Sequence, residues 1–173
     1  MGPELHAVSA TKDQLPLRPC VGVMLLNAQG LVWVGRRLPK WFGDKSAYIW
    51  QMPQGGIMSG EDPEHAAFRE LEEETSVRSV ERLAQSIDWL DYELPAHLLG
   101  IALKGRYRGQ LQKWFAMRFT GDDTEIDISA RNGHKAEFDA WRWVPIEELP
   151  ALAVSFKRPI YEAVSREFRH FAR

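Results

Sequence analysis

Gly55-Gly-Ile-Met-Ser-Gly-Glu61-Asp-Pro-Glu-His-Ala-Ala-Phe-Arg69-Glu70-Leu71-Glu72-Glu73-Glu74-Thr-Ser76-Val77 opens with glycines, passes a helix-start signal and ends in a dense run of acids. Asp62 suits an N-cap and Pro63 suits the first helical position, so the pattern predicts a helix over residues 61–75. At about 100° per residue, Glu70, Glu73 and Glu74 share one face within an arc of roughly 100°. Ala66 and Ala67, one turn earlier, leave that face uncrowded, while Phe68 and Leu71 are expected to anchor the helix to a core. Like charges at these spacings cost roughly 0.2–0.5 kcal/mol per pair. They also stand at the C-terminal end, where the helix dipole disfavours anions. A sequence tuned only for stability would place lysine there. Hard-oxygen clusters of this kind suit Mg²⁺, Mn²⁺ or Ca²⁺, and a bound cation would reverse the repulsion. An acidic run alone is equally common on a solvated helix face. The glycine pair, Glu61 and Arg69 at fixed spacing set this run apart.

Outward from the stretch, strands dominate. Val21–Leu26 and Leu31–Val34 flank the turn Asn27-Ala-Gln-Gly30 and read as a hairpin. Tyr48–Met52 is a short strand stopped by Pro53. Further strands are expected over Ala84–Tyr92, Gln112–Phe119 and Trp141–Val144, with one helical turn at Ile146–Leu149. Phe156, Ile160, Val164 and Phe168 recur every fourth residue and predict a closing amphipathic helix. The pattern is an α+β fold with a mixed β-sheet between helices. Residues 1–17 lack period and read as a flexible N-terminal tail, with residues 18–173 as a single domain. Trp50, Trp141 and Trp143 are assigned to core packing, and Cys20 to a buried strand position.

Composition narrows the class. The 173 residues are 45% hydrophobic and 27% charged, which is globular. Lys and Arg number 22 against 24 Asp and Glu, a net charge of −2, which excludes a long phosphate-tracking DNA groove. The single cysteine excludes a disulfide framework and favours a reducing compartment. No apolar run reaches the ~18 residues of a membrane span. The first residues carry neither a signal-peptide pattern nor a myristoylation pattern, so a cytoplasmic protein is expected. The five histidines are scattered and form no metal constellation.

The stretch resembles the Nudix box, G-x5-E-x7-R-E-U-x-E-E-x-G-U with U aliphatic. Gly55, Glu61, Arg69, Glu70, Leu71, Glu73, Glu74 and Val77 match; Ser76 replaces the final glycine. That glycine favours a left-handed helix end, which serine can adopt at some cost without loss of a ligand. The resemblance implies a Nudix-type α/β/α sandwich and hydrolysis of a phosphoanhydride bond by a divalent ion, Mg²⁺ or Mn²⁺. It implies Glu70, Glu73 and Glu74 as metal ligands, Arg69 as the residue that orients them and Glu61 as its support. Glu70 is the expected base. Glu137, alone in Lys135-Ala-Glu-Phe-Asp139, is the expected further ligand or alternative base.

Segments outside the box resemble the bacterial RNA pyrophosphohydrolase branch of the family, whose members also hydrolyse dinucleoside polyphosphates. They are Arg18–Gly22, Trp50–Gly56, Trp89–Pro95, Gln112–Phe115, Glu137–Val144 and Val154–Arg158. This resemblance implies that Arg37 and Lys157 line a phosphate site and that Phe156 stacks on a nucleobase. Phe156 also fits the apolar spacing of the closing helix. Arg18, Lys113, Gln54 and Gly55 join the expected substrate contacts. Tyr92 either holds substrate or is a half-buried strand residue. The insert with Lys104, Arg106 and Arg108 is a candidate for RNA backbone contact. Expected partners are 5′-phosphorylated RNA ends or dinucleoside polyphosphates, with neither DNA nor membrane, and a monomer or weak dimer. A non-catalytic nucleotide sensor would be expected to lose box carboxylates, and here all are present.

Overall fold

A computed structural model describes residues 14–131 and 133–173. The centre of the fold is a parallel pair, β1 (Leu17–Leu26) against β7 (Gly109–Phe119), in register from Leu17 opposite Gly109 to Leu26 opposite Arg118. Both are long, apolar and nearly continuously buried, as strands covered on both faces must be. Each then forks. On its free side β1 pairs with β4 (Gln54–Gly56) near its start and meets β2 (Val32–Arg37) at its end. In turn, β2 carries β3 (Trp50–Gln51) and β8 (Phe138–Val144). On the other side, β7 pairs with β6 (Leu90–Glu93) near its start and with β5 (Val80–Gln85) near its end. The result is one eight-stranded mixed sheet.

Helices cover both faces. Helix α1 (Pro63–Thr75) lies on a core of Val21, Val23, Leu25, Trp33, Phe115 and Met117. The short α2 (Leu149–Leu152) and α3 (Arg158–Phe168) lie on the opposite core of Met24, Leu26, Val34 and Trp114. Strand parity explains the division: even residues of β1 face α3 and odd ones face α1. Tyr161 of α3 receives the Met52 backbone N–H on its hydroxyl at 2.9 Å, tying the helix to the segment ahead of the box. The expected α/β/α sandwich is the observed fold.

Details differ from the sequence reading. Leu17 already belongs to β1, and Arg108 donates to the Leu15 and Pro16 carbonyls, so the folded part starts before Arg18. The rest of the expected tail, residues 1–13, lies outside the described residues. The strand expected over Ala84–Tyr92 is two strands, broken where Ser86 binds the Trp114 backbone. Ala66 and Ala67 are fully buried, and their small side chains let α1 lie close on the sheet. Phe68 is exposed and anchors nothing; Leu71 is the anchor. Asp62 occupies the N-cap position without a side-chain capping bond. Helix α3 begins after Phe156, which sits instead in a 3-10 turn, Ser155–Lys157. Cys20 is fully buried on β1, and burial pushes its thiol up to about 11.

Candidate active site

Where β1 forks, β4 pairs with β1 alone, and α1 leans its carboxylates over that short strand. The glycines of the box make the approach possible. A Cβ on Gly55 would collide with the Glu70 carboxyl, and one on Gly56 with the Arg18 guanidinium. Arg69 braces the acids. Its guanidinium donates to Glu61 at 2.8 and 2.9 Å, to Glu70 at 2.8 Å, to Glu73 at 3.3 Å and to the Gly56 carbonyl at 2.8 Å. Glu74 accepts from the Gln54 backbone N–H at 3.2 Å. Past the helix, Ser76 adopts the left-handed conformation at φ 70° and its N–H caps the Glu72 carbonyl. The serine that replaces the box glycine therefore keeps the glycine's backbone shape.

Glu70, Glu73, Glu74 and Glu137 all line one cleft. Arg18, Arg37, Lys40 and Lys157 line it too, with Trp41, Trp50, Tyr92 and Phe156. Tyr92 and Phe156 stand 5.4 Å apart between ring centroids, and the Lys157 ammonium lies 5.5 Å from the Tyr92 ring. Arg37 is buried and held at 2.6 Å by the buried Asp44 carboxylate. Lys40 pairs with Glu137 at 2.9 Å and so bridges the cationic wall to the acidic one.

The electrostatics follow from enclosure. Burial, then the charges of Glu137 and Glu70, push Glu74 well above the usual carboxylate range. Burial also raises Glu70, outweighing its bond from Arg69. Glu61 goes the other way: the Arg69 guanidinium holds it down at about 2. Arg69 is correspondingly raised. Across the cleft, burial and the charges of Lys40 and Arg37 bring Lys157 down to about 7.

Among the described residues no three carboxylate, imidazole or thiol groups stand in a ready-made metal cage. Glu70 and Glu73 are turned to Arg69, and Glu74 to the Gln54 amide. The donor set still fits a hard divalent cation. Its ligands are carboxylate oxygens, and the unrelieved repulsion on Glu74 is what a cation would remove.

Of the residues expected at the site, Glu70, Glu73, Glu74, Glu137, Arg18, Arg37, Gln54, Gly55, Tyr92, Phe156 and Lys157 line the cleft, while Glu61 and Arg69 stand behind it. Gln54 lends its backbone to Glu74, and its side chain sits beside the Gln110–Gln112 pair. Lys113 is a correction. Gln110, Gln112 and Trp114 face the cleft side of β7, so the odd-numbered Lys113 points to the opposite face. There it donates to the Ile87 carbonyl at 3.2 Å and covers Trp89. Trp50, expected in the core, is partly buried against it and also lines the cleft. Arg108 of the basic insert is taken up by Glu93 and the Leu15 carbonyl. Lys40, Trp41, His134 and Lys135 were not singled out as site residues by their sequence setting. The one local signal was the nearness of His134 and Lys135 to Glu137.

The sequence and the fold match known proteins. Residues 16–164 match the family model described as NUDIX domain. The chain is 59% identical over 162 residues to an RNA pyrophosphohydrolase of Rhodopseudomonas palustris, covering 93% of each. It is 57% identical over 166 residues to one of Rhizobium meliloti, covering 94% of this chain and 99% of that one. The fold resembles a MutT protein from Methanosarcina mazei at a TM-score of 0.65 and 18% identity, over 89% of this chain and 96% of that one. It also resembles an Ap4A hydrolase of C. elegans at a TM-score of 0.61 and 18% identity, over 88% and 96%. The helix that carries the box, the carboxylates it turns into the cleft and the match along the domain have one common explanation: the chain belongs to the Nudix family of hydrolases.

Proposed function

We propose that this protein is an RNA 5′-end pyrophosphohydrolase of the bacterial cytoplasm. It converts 5′-triphosphate or 5′-diphosphate RNA to 5′-monophosphate RNA, a step that starts 5′-end-dependent decay. The carrying observation is a single cleft with clustered carboxylates on one wall and cations beside a pair of aromatic rings on the other. Relatives at 56–59% identity that bear the name RNA pyrophosphohydrolase support the same reading. Among the described residues no helix is long and apolar enough to cross a membrane. We expect a monomer or weak dimer that uses neither DNA nor membrane.

Nudix hydrolases need a divalent cation. Glu70, Glu73, Glu74 and Glu137 would hold it here, as Mg²⁺ or Mn²⁺, more than one ion being accommodated by that many carboxylates. When bound it supplies neutralisation of the phosphate oxygens and acidifies water. Arg37, Lys157 and Arg18 grip the polyphosphate oxygens, and Tyr92 and Phe156 stack on the first base. Arg69 fixes Glu70 and Glu73 through the bonds described above. Glu70, held in place by the Arg69 guanidinium, takes the proton of the attacking water. Water adds to the α-phosphorus and the bond to the bridging oxygen breaks. A triphosphate end thus releases pyrophosphate, and a diphosphate end releases phosphate. Glu137, paired with Lys40, serves as ligand or alternative base.

A second substrate is favoured by one observation. Trp50 of β3 and the Tyr92–Phe156 pair lie on opposite sides of the β1–β7 centre, and both line the cleft. Two nucleobases joined by a polyphosphate could each find a ring, so diadenosine tetraphosphate would be split to ATP and AMP. The test is kcat/KM with Mg²⁺ on a 5′-triphosphate RNA oligomer and on diadenosine tetraphosphate, side by side. We expect RNA to be preferred by about tenfold or more, with monophosphorylated product. The reverse preference replaces the RNA reading with the dinucleoside one.

A further inference from the structure

Beyond the cleft, rings and guanidiniums alternate along the surface of β2, β3 and β8. Trp50 lines the cleft and stands opposite Arg36 in the β2–β3 register. The Arg142 guanidinium lies 4.3 Å from the Trp50 ring centroid, and that of Arg36 lies 6.0 Å from it. Arg36 continues the row to Tyr48, at 5.9 Å. Tyr48 is 56% exposed and Phe42, in the same loop, is exposed completely. Arg36 is paired bidentately with Asp139, but Arg142 and Lys45 form no ion pair with a described residue.

The loop that carries these rings is built, not slack. The Asp44 carboxylate accepts from the Lys40 and Ser46 backbone N–H groups, the Ser46 hydroxyl and the Arg37 guanidinium. Tyr48 adopts φ 64°, a left-handed conformation that a bulky side chain rarely takes, and its N–H is fixed to the Arg37 carbonyl at 2.6 Å. Thus the residue that anchors the loop to Asp44 is also a cation of the cleft. The structure holds the Tyr48 and Phe42 rings in water on a loop whose Trp41, Ser46 and Trp50 line the substrate cleft, with the Arg142 guanidinium over Trp50.

We propose that residues 41–50 and Arg142 form a stacking platform for single-stranded RNA, which takes the nucleotides 3′ of those in the cleft. The proposal rests on the RNA 5′-end reading. Bases of any identity have a face for Tyr48, Phe42 or Trp50, and the intervening phosphates meet Arg142 and Lys45. A strip of this kind gives length dependence without sequence dependence.

The test compares the wild type with the Phe42→Ala/Tyr48→Ala double variant on a 5′-triphosphate dinucleotide and octanucleotide. In parallel, fluorescence anisotropy follows binding of a 5′-hydroxyl octanucleotide. The wild type should prefer the octanucleotide, and the double variant should lose about tenfold of that preference, through KM with kcat retained. The dinucleotide serves as the internal reference for folding. Arg142→Gln should weaken octanucleotide binding and lower its salt dependence by about one phosphate's worth. An unchanged octanucleotide-to-dinucleotide ratio in the double variant, with unchanged anisotropy, overturns the platform and leaves the 5′-end reading standing. Anisotropy binding that depends on these rings, without hydrolysis of any RNA end, keeps the platform and removes the 5′-end reading. A wild type that neither hydrolyses RNA ends nor binds the oligomer overturns both, and a strip that then captures a protein partner is a different surface.

Discussion

The two walls of the cleft are built in opposite ways. The acidic wall comes largely from one helix and the loop before it, and it carries its own countercharge: Arg69 serves Glu61, Glu70 and Glu73 together. The cationic wall is gathered from β1, β2, the loop after it and the turn before α3. Burial, and then the charges of its neighbours Lys40 and Arg37, bring Lys157 down to about 7. Among the described residues, only Arg37 and Lys40 have carboxylate partners there. The acidic wall is therefore organised before substrate arrives, and the cationic wall becomes favourable only when phosphate enters it. Glu74 is the exception on its own side, since Arg69 does not reach it.

The largest effect should come from breaking that exception. Glu74→Gln should lower kcat by about three orders of magnitude, the upper scale for removing a group that stabilises transition-state charge. The same change should stabilise the metal-free protein at neutral pH. The folded-state pKa of Glu74 lies above the ordinary 4.5, so the folded protein binds more protons there than the unfolded chain. Its stability then falls as pH rises through a window that begins near 4.5, and glutamine removes that loss. Thermal melts with a chelator should show a higher Tm for the variant, each kcal/mol being worth roughly 2–4 °C. Wild-type activity, or a lower Tm at neutral pH, would contradict the reading of Glu74 as an uncompensated ligand.

Next in size is the brace. Arg69→Lys keeps the charge but cannot donate along both edges to Glu61, Glu70, Glu73 and Gly56 at once. Outer partners of metal ligands typically account for 10–100-fold in affinity or activity, so a loss of about that size is expected in Mg²⁺ titrations of rate. Glu61, held at about 2 by Arg69, should return towards the ordinary carboxylate value, which carboxyl-resonance NMR titration can follow. If the variant keeps both its metal dependence and the Glu61 titration, Arg69 does not organise this wall.

The difference between the walls also governs what could be read from the chain. The acidic wall depends on helical spacing, which is local, so Glu61, Arg69, Glu70, Glu73 and Glu74 were legible, and so was the left-handed turn at Ser76. The cationic wall depends on strand parity and on loops that meet only in the folded state. Lys113 was misplaced by a single residue of parity, because its neighbours Gln112 and Trp114 take the cleft face. Lys40 and Trp50 were missed as site residues because nothing local marks a loop that folds back around Asp44. The strands β1 and β7 were legible as strands over Val21–Leu26 and Gln112–Phe119, but their forking, which opens the cleft, was not: it follows from the pairing of distant strands.

The cationic wall can be sharpened through pH. With Lys157 near 7 in the free protein, kcat/KM should fall as pH rises through that value, by about tenfold per unit above it at most. Bound phosphate restores the ammonium, so the limb in kcat should lie at higher pH than the limb in kcat/KM. Lys157→Met should abolish the limb in kcat/KM. The stability sign is the reverse of the Glu74 case. Between about 7 and the ordinary 10.5 the folded protein binds fewer protons than the unfolded chain, so this residue makes stability rise with pH across that window. A profile that keeps its limb in the methionine variant would assign the limb to another group.

The smallest effect tests whether the serine in the box is tuned for stability or for the site. Ser76 holds φ 70°, where glycine is the unstrained residue, and its Oγ donates to the Asp127 carbonyl at 2.7 Å. That carbonyl also accepts from Arg131 at 2.7 Å, so it stays satisfied without the serine. Ser76→Gly therefore removes left-handed strain at the cost of two hydrogen bonds of the hydroxyl, one to the Asp127 carbonyl and one from the Arg131 guanidinium, and some unfolded-state entropy; Arg131 keeps its bonds to the Asp127 and Glu72 carbonyls. The balance should be a stabilisation of about 0.5 kcal/mol or less, read as a small upward shift in urea midpoint, with kcat/KM on RNA ends unchanged. A loss of activity with that gain in stability would mean that the loop around Asp127 and Arg131, reached through Ser76, helps position the acidic wall after all.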